Sequence, residues 1–223
     1  MTAAANLAIH GSEPASAAAE NPATDEALPA LVPDHFTKIA QQIFLSPAQT
    51  VRTVVFCGAG AGAGCSWVCL KVAEALVRLT TESVCLVDGN FRAPSLHTVF
   101  GVDHAPGYSD FLAKSGPARS FARPANGRNL WLLPAGNGDS VFAAAIFRAR
   151  WTQLATEFRF TLIDAGMGLE ATQSAAAANG AILVVDWNKT RRDEAHRAKR
   201  SLRAAGLPLL GVVVNRTHRK IHP

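Results

Sequence analysis

The sequence contains no apolar run of the ~18 residues that a membrane-spanning helix requires, so no such helix is predicted. Its start lacks the basic residues and compact apolar core of a signal peptide, which favours a cytoplasmic location. Cysteine is scarce, with 4 in 223 residues, which excludes a disulfide scaffold and indicates reduced thiols. No pair of histidine or cysteine ligands stands near Cys65 and Cys69, so a zinc site is not expected.

Composition divides the chain into one domain and two tails. Hydrophobic residues make up 48% of the sequence, which is ample for the core of a single domain. Residues 1–32 are rich in alanine, proline, serine and glutamate without a hydrophobic period, so a disordered tail is predicted there. The domain is predicted over residues 33–217, opening with a short amphipathic helix, and a short tail over 218–223.

Apolar runs typical of buried strands alternate with helical stretches through the domain. The predicted strands are Val51–Cys57, Val84–Asp88, Leu130–Leu133, Phe160–Asp164, Ala181–Asp186 and Leu209–Asn215. The predicted helices are Ser66–Thr80, Val141–Thr156, Thr172–Ala178 and Arg191–Ala205. Near-continuous Val, Ile and Leu in the strands indicates burial on both faces. The sequence therefore predicts an α/β fold of the P-loop type, a doubly wound, mostly parallel sheet with helices on both faces.

A glycine-rich segment, Gly58–Ser66, lies between the first of these strands and the following helix. A Walker A loop reads Gly-x-x-x-x-Gly-Lys-Ser/Thr in this context, where backbone N–H groups and the helix N-terminus hold phosphate. Gly64 and Ser66 stand at the required places, and Ala59 replaces the first glycine. Cys65 occupies the position of the lysine, so the loop lacks its cation.

Two carboxylates end apolar strands at the predicted carboxyl edge of the sheet, where ligands bind in such folds. Asp88 closes Leu86-Val87, and Asp164 closes Thr161-Leu162-Ile163 as a Walker B strand does. Each is able to hold a magnesium-bound water or accept a proton from a hydroxyl. Each also fits ordinary turn chemistry, in which the side chain only caps the following loop.

The segment after Asp88 carries the most specific motif. The chain resembles the bacterial tyrosine kinases of capsule and exopolysaccharide synthesis, a branch of the Min and Par ATPase superfamily, over roughly residues 36–215. That family reads Asp-x-Asp-x-Arg-x-Pro-Ser-x-His, then Phe-Gly, then Pro-Gly-x-x-Asp. The matching residues are Asp88, Asn90, Arg92, Pro94, Ser95, His97, Phe100, Gly101, Pro106, Gly107 and Asp110, with a Leu-Pro-Ala-Gly turn at 133–136.

The resemblance implies ATP or ADP and magnesium as ligands, with weakened binding. The implied nucleotide-binding residues are Gly60, Gly62, Ala63, Gly64, Cys65, Ser66, Trp67, Arg92 and, near adenine, Asn215. The implied magnesium ligands are Ser66 and Asp164, and the implied catalytic residues are Asp88 and Asp164, both impaired. The resemblance also implies a membrane-anchored polysaccharide chain-length regulator as partner, which would recruit the protein to the inner membrane face. Assembly into a homo-oligomer is a further possibility that it leaves open.

Five departures from the family bear on activity. They are Cys65 for the Walker A lysine, Asn90 for the second aspartate, Ala165-Gly166 after Asp164, a C-terminus without tyrosine, and Asp34, Thr37 and Ala40 where the family has Glu-x-x-Arg-x-x-Arg. Losing one charge-assisted contact costs about 1.5–3 kcal/mol of binding. A cation aimed at transition-state charge is worth on the order of a thousandfold in rate. We therefore expect a pseudokinase with weak or no nucleotide binding.

Two other functions remain as alternatives. One is an active tyrosine kinase or ATPase that takes a cation from Arg92 or a neighbouring subunit. The other is a dinucleotide-binding oxidoreductase, because 58–63 fits Gly-x-Gly-x-x-Ala and Asp88 would hold a ribose. That fingerprint is weak in an alternating Gly/Ala run, and the chain has no Tyr-x-x-x-Lys.

Three further features each have two interpretations. Cys65 is either an inert small residue or a thiol activated by the helix N-terminus for oxidation. Trp67 either packs in the core or covers the loop, and packing is favoured. Seven cations lie between Lys189 and Arg203, a pattern typical of a solvated helix face, with acidic lipid or an acidic partner as alternatives and nucleic acid not favoured.

Overall fold

The computed structural model describes residues 5–8, 34–47, 50–125, 129–138, 144–167 and 178–216. Its strands are β1 Ala5–Ala8, β2 Thr53–Gly58, β3 Val84–Asp88, β4 Arg123–Ala125, β5 Leu130–Leu133, β6 Phe160–Met167, β7 Gly180–Asp186 and β8 Leu209–Asn215. Its helices are α1 Asp34–Phe44, α2 Cys65–Leu79, α3 Leu96–Phe100, α4 Tyr108–Ala113, α5 Ala144–Glu157 and α6 Arg192–Ala204, with a 3₁₀ turn at Ala118–Ser120.

All eight strands form one sheet in the order β1-β8-β7-β2-β6-β3-β5-β4. Every neighbouring pair is parallel except β4 and β5. After β2 the chain builds one side of the sheet with β3, β4 and β5, returns to insert β6 between β2 and β3, and then builds the other side with β7 and β8. This is the doubly wound topology predicted from the apolar strands. The predicted fold class is confirmed.

The two faces of the sheet bury two separate cores because side chains alternate along each strand. On β2, Val54 and Phe56 enter the core that α1 and α2 cover, and Val55 and Cys57 enter the opposite one. The second core also takes Tyr108, Trp151 and Leu202 from α4, α5 and α6. Full burial of each large apolar side chain contributes roughly 1.5–3 kcal/mol, so both helical layers are held against the sheet.

Some elements differ from the sequence expectation. Strand β1 falls within segment 1–32, for which disorder is predicted, and it pairs in parallel with β8 from Ala5 to Ala8. Its pairing partner is distant in sequence, so local composition gives no sign of it. The remainder of 1–32, the tail 218–223 and most of the helix predicted from Thr172 lie outside the described residues. Short elements α3, α4 and β4 were not predicted, because three to six residues carry too little periodicity.

Candidate nucleotide-binding site

The carboxyl ends of three adjacent strands, β2, β6 and β3, bring the predicted site residues together. Gly58 ends β2 and opens the glycine-rich loop, while Asp88 and Asp164 are paired residues of β3 and β6. Phe56 of β2 is in register with Asp164, so the loop starts directly beside that carboxylate. The loop and both acids therefore lie at one edge of the sheet, as the strand-end motifs predicted.

The glycine-rich loop has the backbone of an anion-binding turn. Gly62 and Gly64 have φ angles of 69° and 80°, in the left-handed region that favours glycine. Helix α2 begins at Cys65, and Gly64 at its cap position offers no side-chain hydrogen bond to the first turn. The N–H groups of that first turn lack intrahelical partners, and the helix dipole adds positive potential. This geometry suits a phosphate group.

Asn215 holds the loop from the end of β8. Its Nδ2 donates a 3.0 Å hydrogen bond to the carbonyl of Ala63, and its Oδ1 accepts one of 2.9 Å from the Arg216 amide. A Cβ atom on Gly64 would lie only 2.2 Å from that Nδ2. The family resemblance implies that Asn215 contacts adenine, and that role stays a prediction. Its loop contact was missed because 152 residues separate it from Ala63.

Gly64→Ala is expected to destabilise the protein more than Gly62→Ala, although both glycines have positive φ. Strain in the left-handed region costs about 1–2 kcal/mol at either position. Nothing lies within 4 Å of a Cβ on Gly62, whereas at Gly64 it would displace Asn215 and break a further hydrogen bond worth about 1 kcal/mol. Urea unfolding of both variants measures the difference. Equal losses would show that Asn215 does not constrain the loop.

Cys65 is buried where a Walker A lysine would extend toward phosphate. Its side chain is 8% exposed and lies among Asp164, Cys69 and Cys57. Burial raises the pKa of the Cys65 thiol well above its usual value, and the charge of Asp164 raises it further. The thiol is therefore protonated at neutral pH, which favours the inert interpretation over the oxidation sensor.

Asp164 is fully buried beside the loop. Its Oδ1 accepts a 3.2 Å hydrogen bond from the Gly166 amide, and its Oδ2 has no hydrogen-bond partner among the described residues. Burial raises the pKa of Asp164, while polar contacts with Ser66, Gly166 and Cys65 oppose that rise. A buried carboxylate oxygen without a partner, next to a hydroxyl, suits a hard cation such as magnesium.

Asp88 uses its carboxylate to organise the loop that follows it. It accepts hydrogen bonds of 3.0 Å from the amides of Ser95 and Leu96, at the start of α3, and one of 3.3 Å from Asn90. Burial raises the pKa of Asp88 to about 7, and the charge of Asp164 is a second cause. The hydrogen bonds from the three amides act in the opposite direction and lower this pKa. The capping role considered from the sequence is thus present, and a catalytic role stays a prediction.

The residue that replaces the family's second aspartate also serves the loop. Asn90 donates through Nδ2 to the carbonyl of Ala93 at 3.1 Å. A Cβ atom on Gly166, whose φ is 58°, would lie 2.6 Å from Asn90 Cγ. Close packing of Asn90 and the positive φ therefore leave no place for a side chain at Gly166. Arg92 is exposed two residues further on.

Trp67 lies on the side of α2 that faces α1. Its ring meets Phe36 edge-on at 5.2 Å, and 37% of it is exposed. This contact matches the packing interpretation, and its assignment as a nucleotide contact stays a prediction.

Glu194 is a site neighbour that the sequence analysis missed. Its Oε2 lies 3.5 Å from the Cβ position of Gly60 and accepts a 2.8 Å hydrogen bond from the Arg191 amide. The signal available was the capping box at the start of α6, which fixes the side chain near the helix start. Glu194 and Asp164 thus lie beside the loop, and the lysine that would balance these carboxylates is replaced by Cys65.

No family model matches the chain. Among curated proteins, the putative tyrosine-protein kinase CapB of Staphylococcus aureus is 23% identical over 193 residues, covering 83% of this chain and 84% of CapB. The tyrosine-protein kinase YwqD of Bacillus subtilis is 22% identical over 179 residues, covering 77% of this chain and 75% of YwqD. Both alignments cover more than three quarters of this chain.

Solved structures share the fold. The crystal structure of the chimerical protein CapA2B2 matches with a TM-score of 0.76 and 23% identity, over 83% of this chain and 85% of that one. The septum site-determining protein MinD of Pyrococcus horikoshii, complexed with Mg-ADP, matches with a TM-score of 0.63 and 25% identity, over 76% and 72%. The resemblance is confirmed: the homologues are bacterial tyrosine kinases, and the structural neighbours include MinD-type ATPases.

Proposed function

We propose that this homologue of the bacterial tyrosine kinases is a pseudokinase that acts as a regulatory or scaffolding partner in capsule or exopolysaccharide synthesis. The observation that carries the proposal is the buried Cys65 thiol at the lysine position, facing Asp164. A neutral thiol gives a phosphate no charge-assisted contact. The fold and loop are kept, while the group that stabilises transferred phosphate is lost.

The residues present fit a magnesium-bound phosphate, with one contact missing. Backbone amides at Gly60–Ser66 would hold phosphate oxygens, and Ser66 with Asp164 would hold magnesium. Magnesium supplies the positive charge that offsets both phosphate and carboxylates. Without a lysine, affinity for ATP or ADP is lower by roughly ten- to hundredfold, the worth of about 1.5–3 kcal/mol.

Carboxylates near the loop disfavour a nucleotide that arrives without its metal. Asp88, Asp164 and Glu194 all lie at this edge of the sheet, and burial raises the pKa of the first two. A phosphate anion beside Asp164 would raise the pKa of that carboxyl further, whereas a magnesium ion would favour its ionised form, so this arrangement accepts a nucleotide better with its metal than without it. The same arrangement weakens the oxidoreductase alternative, because Asp88 already accepts three backbone amides instead of facing a ribose.

The chain also lacks a usable phosphate acceptor of its own. Its single tyrosine, Tyr108, is 1% exposed and stacks on Phe91 at 5.4 Å between ring centroids. Trp151 closes the other side with an edge contact at 5.8 Å. A kinase cannot reach this hydroxyl without unfolding α4, so the activity of the relatives toward tyrosine has no substrate in this chain.

Incubation with ATP and magnesium is expected to leave the protein without phosphotyrosine, as read by intact-mass and peptide mass spectrometry. The Tyr108→Phe variant is the matched control, since it removes the only tyrosine with little change in packing. Phosphorylation of Tyr108 that disappears in Asp88→Ala would overturn the pseudokinase proposal. It would favour the active alternative, in which Arg92 or a neighbouring subunit supplies the cation.

The proposed partner is a membrane-anchored polysaccharide chain-length regulator. This follows from the family resemblance, and it would bring a cytoplasmic protein to the inner membrane face. No helix among the described residues is long and apolar enough to cross a bilayer. Assembly into a homo-oligomer is compatible with the proposal, although the arginines of the family's ring-forming helix are replaced by Thr37 and Ala40.

A further inference from the structure

Positive charge is concentrated on one helix, α6, and the turn before it. The segment from Lys189 to Arg203 holds seven cations against two carboxylates, an excess equal to the formal net charge of the whole chain, +5. The seven are Lys189, Arg191, Arg192, Arg197, Lys199, Arg200 and Arg203. We call this segment the cationic face. The described remainder of the chain has no comparable excess in so short a stretch.

The cationic face points away from the sheet. All seven cations are exposed, and Leu202 is the buried side chain by which α6 packs against the second core. Asp193 pairs with Arg197 at 3.4 Å and with Arg191 at 4.0 Å, but these groups are more than 60% exposed. Exposed pairs of this kind contribute little, so most of the positive charge is available to a partner.

The last two turns of α6 carry the least compensated charge. Lys199, Arg200 and Arg203 have no carboxylate partner in the part of the chain that the structure describes. Both carboxylates of the segment, Asp193 and Glu194, lie in the first turn. The C-terminal half of the face is therefore purely cationic.

An exposed tryptophan stands beside the cationic face. Trp187 precedes Lys189 by two residues and is 68% exposed, the largest value among the big hydrophobic side chains described. Its backbone amide donates to the Asn215 carbonyl at 3.0 Å, which fixes the turn. No aromatic contact with another described residue accounts for this ring, and indole rings favour the boundary between water and lipid acyl chains.

We propose that the cationic face and Trp187 bind the acidic surface of a lipid bilayer. A helix of 13 residues presents a straight edge about 20 Å long, which can lie along a plane. Each lysine or arginine near an anionic membrane contributes about fivefold in binding, and an interfacial indole adds to it. Single-stranded nucleic acid is less well matched, because it needs a groove with several aromatic platforms, and here one ring adjoins a convex helix.

This inference is independent of the pseudokinase proposal, since it concerns a surface and not the loop chemistry. Because Glu194 of α6 lies against Gly60, the bound bilayer would lie near the glycine-rich loop. The protein would then have a direct, charge-based attachment to the membrane in addition to any protein partner.

Co-sedimentation with vesicles tests the proposal. The full chain is expected to bind vesicles of phosphatidylcholine with about one third phosphatidylglycerol, and not vesicles of phosphatidylcholine alone. Raising sodium chloride from about 50 to about 500 mM is expected to release the protein, since screening shortens the reach of surface charges. Equal binding to neutral and acidic vesicles, or binding to neither, would overturn the proposal.

Two charge-matched variants locate the surface. Arg200→Glu combined with Arg203→Glu is expected to lower the partition coefficient on acidic vesicles by at least tenfold, at about fivefold per cation removed. Lys38→Glu combined with Arg78→Glu changes net charge equally on helices of the opposite sheet face, and is expected to retain most binding. Equal losses in both variants would show only a net-charge effect and would contradict a defined surface. Circular dichroism checks that each variant is folded.

Tryptophan fluorescence tests the aromatic contribution and separates rival partners. Acidic vesicles are expected to blue-shift the emission of the wild type, and Trp187→Ala is expected to lose that shift and several-fold in binding. An unstructured poly-dT oligonucleotide and a poly-glutamate peptide serve as the alternative polyanions. If either binds more tightly than the vesicles at about 150 mM salt and competes with them, the lipid assignment is wrong.

Discussion

Replacing Cys65 with lysine is expected to tighten ATP binding by roughly ten- to hundredfold in isothermal titration with magnesium. The new ammonium would restore one charge-assisted contact with phosphate, worth about 1.5–3 kcal/mol. It would also stand beside Asp164, which has no cationic partner among the described residues, and would favour the ionised form of that carboxyl. Turnover is expected to recover less than binding, because Asn90 still replaces a carboxylate and the buried Tyr108 offers no acceptor.

Cys65→Met is the control for this change, since it lengthens the side chain without adding charge. It is expected to leave affinity near the wild-type value. The gain in Cys65→Lys is limited by space, because position 65 is buried among Cys57, Cys69 and Asp164. A folded Cys65→Lys protein with unchanged affinity would show that the loop does not hold phosphate. The chain would then be a binding module that retains only the fold.

The free energy of unfolding is expected to fall as pH rises from about 5.5 to about 8, opposite to the usual behaviour of a paired aspartate. Burial and Asp164 raise the pKa of Asp88 from 3.8 to about 7, so the folded state binds more protons than the unfolded state between these values. The stabilisation from this bound proton is fully present below the pKa of Asp88 in the unfolded state. It is lost as pH rises through the pKa of Asp88 in the folded state. Over the stated interval the change is about 2 kcal/mol, at about 1.4 kcal/mol per unit.

Asp88→Asn isolates this effect, because an asparagine oxygen still accepts the amides at the start of α3. Its unfolding free energy by urea denaturation is expected to lose the part of the pH dependence that Asp88 contributes, while Asp164, whose pKa burial also raises, keeps its own part. Asp110→Asn is the matched control. Lys114 lowers the pKa of Asp110, so this carboxyl titrates at acidic pH, outside the interval tested. His97, whose pKa is lowered by burial and by His104, opposes the trend equally in all three proteins. The explanation would be contradicted if the unfolding free energy of the wild type did not change with pH, or rose with it, and Asp88→Asn behaved in the same way.

The comparison between expectation and structure is clearest at the strands. Six runs of Val, Ile and Leu were sufficient to place β2, β3, β5, β6, β7 and β8, because strands covered on both faces are apolar throughout. β8 is equally apolar, although its side chains alternate between buried and half-buried. β1 could not be found this way, since its place depends on β8 and not on its own four residues. β4 could not be predicted for the same reason, since its place depends on pairing with β5 through only three residues.

The sequence by itself determined the fold class, the glycine-rich loop and the loss of its lysine, because these depend on apolar periodicity and on residue types at short spacing. Only the tertiary structure decided the chemistry of the site, because burial and long-range contacts set it. It placed Cys65 out of solvent, gave Asp88 a raised pKa beside Asp164, and brought Asn215 and Glu194 against the loop from elements more than a hundred residues away. Charged groups and backbone amides that folding brings together from distant segments leave no pattern in the local sequence. Their contacts therefore cannot be predicted from neighbouring residues along the chain.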